Sequence, residues 1–239
     1  MCWLRILILF PFFLCASDVS VIVPCYWKHF QFIEELLSAY AVQTQLPKEV
    51  VISLSEADKV PPHLLKDLER RNYPFDVRII KTDQKLYAGQ NRNVAAQNAR
   101  GEILLAQDAD DLPHPQRVEI LTHMMKKHRT GHIIHQWVPD KDGYRVASNP
   151  PPWVEKYDDI DKIPTQLVRN SEDYLKVWDY FHNGHIAIKK RIWERYQWPA
   201  TRRGQDFEYN AFLMNKRKKV LLLYAPLVIY RQSHSSETL

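Results

Sequence analysis

Three carboxylates crowd one short stretch of the chain. They are Asp108, Asp110 and Asp111, within GEILLAQDADDLPHP at residues 101–115. Like charges this close repel one another unless a cation joins them. Hard oxygen ligands in a short loop suit Mg²⁺ or Mn²⁺, with a substrate's phosphates completing the shell. An apolar run, Ile103 to Ala106, precedes the acids, and the amphipathic RVEILTHMMKKH follows Pro113 and Pro115. The first has the length of a buried strand and the second the periodicity of a helix. The acids are therefore expected at the carboxyl end of a strand, where open α/β sheets place their ligands. Asp110 or Asp111 could instead cap the helix that begins near Pro115. Capping uses one carboxylate and gives no reason for the other two, so a metal–phosphate site is the stronger expectation.

Three β-α units lead into this loop. Val19 to Pro24 (VSVIVP) is a β-branched run stopped by proline, with Cys25, Tyr26 and Trp27 as the loop after it. Phe30, Ile33, Leu36, Leu37 and Tyr40 then recur at helical spacing. Glu49 to Leu54 is a second strand, followed by a polar SEAD loop, and Pro61-Pro62 open a short helix. Asp76 to Lys81 is a third strand, and Ala88 to Arg100 reads as a helix with Gly101 as its C-cap. Repeated β-α units predict a parallel, doubly wound sheet. Further on the periodicity weakens. His132 to Trp137 is a candidate strand, and Asp140 to Thr165 a long proline-rich loop of the kind that often binds or covers ligands. Tyr174, Trp178, Tyr180 and Phe181 form an aromatic stripe, read as core ahead of a sugar-stacking surface shared with Trp153 and Tyr157. From Gly184 the pattern resumes with HIAI as a strand, KKRIWERY and FEYNAFLMNK as helices, and VLLLY as a strand.

The 239 residues, 45% of them hydrophobic, suffice for one sizeable core. Net charge is +5, and Lys216 to Lys219 is the one dense basic run. It reads as the solvated end of a helix rather than a nucleic-acid patch, and no nucleic-acid partner is expected. At residues 1–17, Arg5 precedes an apolar stretch from Ile6 to Leu14 and small residues follow. This is the layout of a secretory signal, too short to span a bilayer comfortably. Cleavage after Ala16 or Ser17 would send the domain to a secretory lumen or outside the cell. An uncleaved segment would instead give membrane association, with the domain free to face either side. Of Cys2, Cys15 and Cys25, only the last survives cleavage, so it forms no intramolecular disulfide and is expected as a small buried residue.

These pieces, in this order, resemble the GT-A-fold glycosyltransferases of the family 2 type. VSVIVPCY resembles that family's opening strand and nucleotide-facing loop, and AGQNRNVAAQNARGEILLAQDADDLPHP its central block with the DxD motif. NGHIAIKKRIWERYQWP, RRGQDFEYNAFL and YRQSH resemble its second half. The resemblance implies an α/β GT-A fold in one domain over residues 18–239, with a nucleotide-binding half to about 137 and an acceptor-binding half after it. It implies that Asp108 and Asp110 hold Mn²⁺ or Mg²⁺ against the diphosphate of a sugar donor, with Asp111 supporting them. It implies that Arg92 approaches the diphosphate, that Pro24 and Tyr26 line the nucleotide pocket, and that His234 approaches the metal or phosphates. Asp206 matches the general base for the acceptor hydroxyl.

Two departures stand out. Where the family carries acids after the second strand, this chain has Leu54-Ser55-Glu56-Ala57-Asp58, so Ser55 or Glu56 is expected to hold the nucleoside. The family's Glu-Asp pair is here Gln205-Asp206. The expected function is a metal-dependent inverting glycosyltransferase taking a nucleotide-diphosphate sugar, UDP-linked for preference, to a glycan, lipid or protein acceptor. The alternatives are a non-catalytic nucleotide- or glycan-binding module on the same fold and a metal-dependent nucleotidyltransferase.

Overall fold

The computed structural model describes residues 17–140, 151–178, 181–217 and 219–231. The expected secretory segment, apart from Ser17, and the expected ligand His234 lie outside them, as do Tyr180 and residues 141–150 of the long loop.

The first half follows the β-α alternation. Strand β1 (Val19–Tyr26) runs through a 3-10 turn into helix α1 (Ile33–Ala41). Then come β2 (Glu49–Ser55), α2 (Pro62–Glu69), β3 (Asp76–Thr82), α3 (Ala88–Asn98) and β4 (Ile103–Ala106). Pro62 occupies the first turn of α2, where its missing N–H costs nothing. These strands pair in parallel in the order β3-β2-β1-β4. Their carboxyl ends therefore share one edge. The second half comprises β5 (Leu112–Pro113), α4 (Arg117–Lys127), β6 (His132–Pro139), β7 (Thr165–Val168) and α5 (Ser171–Leu175). It continues with β8 (Phe181–Lys189), α6 (Lys190–Trp193), α7 (Gln205–Arg217) and β9 (Val220–Tyr230). Here the pairing is mixed. β8 runs antiparallel to β4 and β6, β6 parallel to β9, and β5 and β7 antiparallel to β9.

The period-two alternation of the central strands splits the core between two faces. Val21, Val23, Val50, Ile52 and Leu105 pack with α1 and α4, while Ile22, Val51, Leu104 and Ala106 pack with α3 and α7. Each such side chain, fully buried, contributes roughly 1.5–3 kcal/mol.

Three local expectations change. α3 ends at Asn98 with Ala99 as its extended C-cap, so Gly101 does not cap it. Gly101 instead passes against β1, where an added Cβ would lie 2.7 Å from the Ser20 backbone nitrogen. Gln116 precedes α4, so neither Asp110 nor Asp111 caps that helix. In the aromatic stripe Tyr174 and Phe181 are core, but Trp178 is exposed.

Candidate active site

A cleft of about 780 Å³ opens where the carboxyl ends of β1 and β4 face the first turns of α3 and α7. It gathers Pro24, Tyr26, Arg92, Asp108, Asp110 and Asp206, which stand as far apart in sequence as a strand, two helices and a loop allow. Ser55 and Glu56 are not among its lining residues. The Ser55 hydroxyl is buried between the Cys25 carbonyl and the amide of Asn91, and so holds Asn91, which does line the cleft. Glu56 sits at a left-handed φ of 53° and is tied to Lys59. Both are held at the β2 end by these contacts.

The acids do three different jobs. Asp108 accepts a hydrogen bond from Arg92 Nη2 at 2.7 Å. Burial pushes its carboxyl up, but Arg92, His185 and His182 outweigh it and hold it well below the usual range. Asp111 is fully buried and committed on both oxygens, one 2.7 Å from His185 Nε2 and the other 2.7 Å from the Arg231 backbone N–H. It ties the loop after β4 to β8 and to the end of β9. Asp110 lines the cleft 3.7 Å from His29 Nδ1. Burial first, then Asp111 and Asp108, push its carboxyl up to about 8. That displacement is what a neighbouring cation would relieve.

Asp108, Asp111, His182 and His185 offer ligand atoms within 4.8 Å of one another. Asp111 and His185 are already committed to each other, so the carboxylates left for a divalent cation are Asp108 of this group and Asp110 beside it, one held as an anion and one pushed up for want of positive charge. Arg92 adds a second indication. It is almost wholly buried, and among the described residues its Nε and Nη1 have no hydrogen-bond partner. Unpaired buried donors of a cation are costly. An anion in the cleft would satisfy them.

Beneath the acids lies a buried polar frame that sequence periodicity does not announce. Arg117 is fully buried and donates from Nη2 to the Ala106 carbonyl at 2.9 Å, from Nη1 to the Tyr40 hydroxyl at 2.8 Å and to Gln107 Oε1 at 3.2 Å, and from Nε to His135 Nε2 at 3.2 Å. Gln107 in turn donates from Nε2 to the carbonyls of Asp108 and Asp111, both at 3.1 Å. The loop's curvature is thus fixed by side chains below it. Cys25 is buried, and burial together with Asp110 pushes its thiol far up, so it is no nucleophile.

Across the cleft Asp206 stands in the first turn of α7, with Oδ1 accepting the Phe207 backbone N–H at 2.8 Å. It is both a first-turn acid and a wall residue. His29, His182 and Tyr230 also line the cleft and were not anticipated. The one sequence signal for the histidines was the pair in FHNGHIAI, two imidazoles flanking a glycine within a strand pattern.

The model of the family described as glycosyl transferase family 2 matches residues 20–220. An uncharacterised glycosyltransferase of Methanocaldococcus jannaschii is 28% identical over 203 residues, covering 80% of this chain and 62% of its own length. An uncharacterised glycosyltransferase of Haemophilus influenzae is 26% identical over 117 residues, 49% of this chain and 37% of its own. The chain thus spans less than two thirds of either relative. Among solved structures, S. aureus TarS 1-349 in complex with UDP-GlcNAc superposes with a TM-score of 0.68 at 17% identity, over 92% of this chain and 60% of that one. The same protein in complex with UDP gives 0.66 at 18% identity, over 89% and 60%.

Proposed function

The chain belongs to glycosyl transferase family 2, and from that premise we propose that it moves a sugar from a UDP-linked donor to an acceptor hydroxyl with inversion, using Mn²⁺ or Mg²⁺. One observation carries the reading: a single cleft holds Arg92 with two unpaired buried donors, the acids Asp108 and Asp110, and the separate carboxylate Asp206. A diphosphate answers the first, a cation the second, and an acceptor hydroxyl the third. The solved relatives in complex with UDP and UDP-GlcNAc support a uridine nucleotide.

Asp108 and Asp110 are the residues that would hold the cation. When bound, it neutralises charge developing on the departing diphosphate. Arg92 binds the same diphosphate from the α3 side. Asp206 takes the acceptor's proton as that oxygen bonds to the anomeric carbon, and the bond from this carbon to the diphosphate oxygen breaks with its electron pair. The Phe207 N–H orients Asp206 for the task. The secretory segment expected at residues 1–17 supports a lumenal or secreted location, and a glycan, lipid or protein as acceptor.

The test is nucleotide release by the full chain from single UDP-, GDP- and dTDP-sugars with Mn²⁺ and candidate acceptors. Release from a UDP-sugar, abolished by EDTA and by Asp110→Ala, is the expected result. Asp206→Asn should keep donor binding and lose roughly 10²–10⁴-fold in transfer. Pyrophosphate released from a nucleoside triphosphate would make the protein a nucleotidyltransferase. Donor binding without any turnover would make it a binding module.

A further inference from the structure

We propose that His182 is a second catalytic residue, a neutral N–H donor that binds the phosphate oxygen leaving with the diphosphate. The inference rests on the transfer reading given above.

Its first support is the backbone. In the pairing of β6 with β8, Ile134 faces Ile186 and Gln136 faces Phe181, so one residue of β6 stands opposite the four residues His182 to His185. Such a bulge re-aims side chains that a regular strand would alternate between its faces, and bulges gather beside active sites. α7 pins this one: the Asn210 side-chain amide donates to both the carbonyl and Oδ1 of Asn183, each at 3.0 Å. Gly184 lets it pass close to the acids, since a Cβ there would lie 3.0 Å from Asp108 Oδ2.

The second support is the tautomer. The Gly184 backbone N–H donates to His182 Nδ1 at 3.1 Å. That nitrogen carries a lone pair and no proton, so the ring is neutral and its proton sits on Nε2. Nε2 is the nitrogen left to donate, and His182 lines the cleft. The ring is held edge-on by Tyr230 at 4.7 Å and Trp137 at 6.3 Å between centroids. With Nδ1 occupied and Nε2 protonated, His182 is equipped to donate and not to ligate a metal. His185 differs, because its Nε2 is already spent on Asp111 at 2.7 Å.

The third support is position. His182 feels the charges of both Asp108 and Asp206. It lines one cleft with Asp108, expected to hold the diphosphate, and Asp206, expected to take the acceptor's proton. A preorganised donor there stabilises the charge that appears on the leaving oxygen.

The test compares full-length wild type with His182→Phe, which keeps the ring packing and removes the donor, and His182→Gln, which restores an N–H. Turnover and donor KM are read with the best donor, Mn²⁺ affinity by paramagnetic resonance, and folding by the unfolding midpoint. The expected result is a kcat lowered roughly 10²-fold in His182→Phe with donor KM and Mn²⁺ affinity unchanged, and partial recovery in His182→Gln. A kcat preserved in His182→Phe would overturn the proposal. So would a Mn²⁺ affinity lost in both variants, which would make His182 a metal ligand. Loss of kcat in both variants with a lowered midpoint would make its role structural, and overturn it too. If the wild type releases no nucleotide, the transfer reading itself falls, and this inference with it.

Discussion

From β3 to β4 the strands pair in parallel without a slip, and the residues at their ends arrive where their spacing says they should. From β8 to β9 the pairing shifts register at Ile134/Gln136 against β8, and at His135/Gln136 and Gln136/Val138 against β9. Both halves contribute to one cleft, but in different ways. The regular half presents acids on a loop at a strand end, and any sequence with that alternation would put them there. The irregular half brings His182 and Tyr230 to the same place, and His185 onto Asp111 beneath it, by breaking its own ladder. Regularity gives the cleft a floor, and irregularity lets distant side chains turn toward it.

Arg117 joins the halves, and removing it is the largest expected break. Its guanidinium reaches the end of β4 and α1 on one side and His135 of β6 on the other. Arg117→Met should leave the Ala106 carbonyl and His135 Nε2 without donors, at roughly 1–3 kcal/mol each, offset in part by removing a buried cation. A net loss of about 3 kcal/mol in denaturant unfolding is expected. Turnover should fall further than the folded fraction does, because Gln107 and the acid loop lose their anchor. A variant as stable as wild type would show that the cation's burial outweighs its hydrogen bonds and that the halves are held by packing alone.

Two glycines sharpen the contrast. A Cβ on Gly101 would meet the backbone of Ser20 at 2.7 Å and of Asp18 at 2.9 Å, atoms that cannot move without moving β1. Gly101→Ala should therefore cost about 1–3 kcal/mol of stability, with activity per folded molecule unchanged. A Cβ on Gly184 would meet the ends of side chains, Arg92 Nη2 at 2.9 Å and Asp108 Oδ2 at 3.0 Å. These can give way, so Gly184→Ala should cost less than about 1 kcal/mol of stability yet weaken donor binding about tenfold. Calorimetric binding beside unfolding curves separates the two. If both variants lose stability alike and bind donor alike, the glycines report packing only.

How much of this was legible follows the same division. Val19–Pro24, Glu49–Leu54 and Ile103–Ala106 announce themselves as strands because they are buried on both faces and end in breakers or acids. Pro24, Tyr26, Arg92, Asp108, Asp110 and Asp206, each named from the sequence, line the one cleft. The frame under the acids was not legible, since Tyr40, Gln107, Arg117 and His135 meet only through the fold and carry no shared period. Nor was the bulge: four residues against one leaves no periodic trace, and β8 reads in the sequence as HIAI, from His185, instead of from Phe181. Ser55 and Glu56 do not line the cleft, for a related reason. Position after a strand was taken for position in the wall, while a left-handed Glu56 and a buried Ser55 hydroxyl turn both to structural work.

The most gradual expected effect is a slope with pH. In the regular half Glu49 is a buried acid away from the cleft. Burial pushes it up, but Ser20 and Arg100 together hold it below its ordinary value. Its contribution is lost only as pH falls through the acid range, below about 4.5. In the irregular half His135 is fixed neutral, with Nδ1 against the Gln136 carbonyl at 2.8 Å and Nε2 accepting from Arg117. Burial and then Arg117 hold it well below its ordinary 6.5. The unfolded chain takes a proton on this histidine from pH 6.5 downward and the folded chain does not, so stability must fall as pH falls in that window. Asp110, raised to about 8, acts in the opposite direction over the same range. The readout is therefore a difference. His135→Gln keeps a donor and an acceptor but cannot titrate, and its stability should gain on wild type by up to about 1.4 kcal/mol per pH unit between pH 6.5 and 5. Parallel curves across that window would mean that His135 protonates in the folded state, and that the ladder's break at this residue admits water.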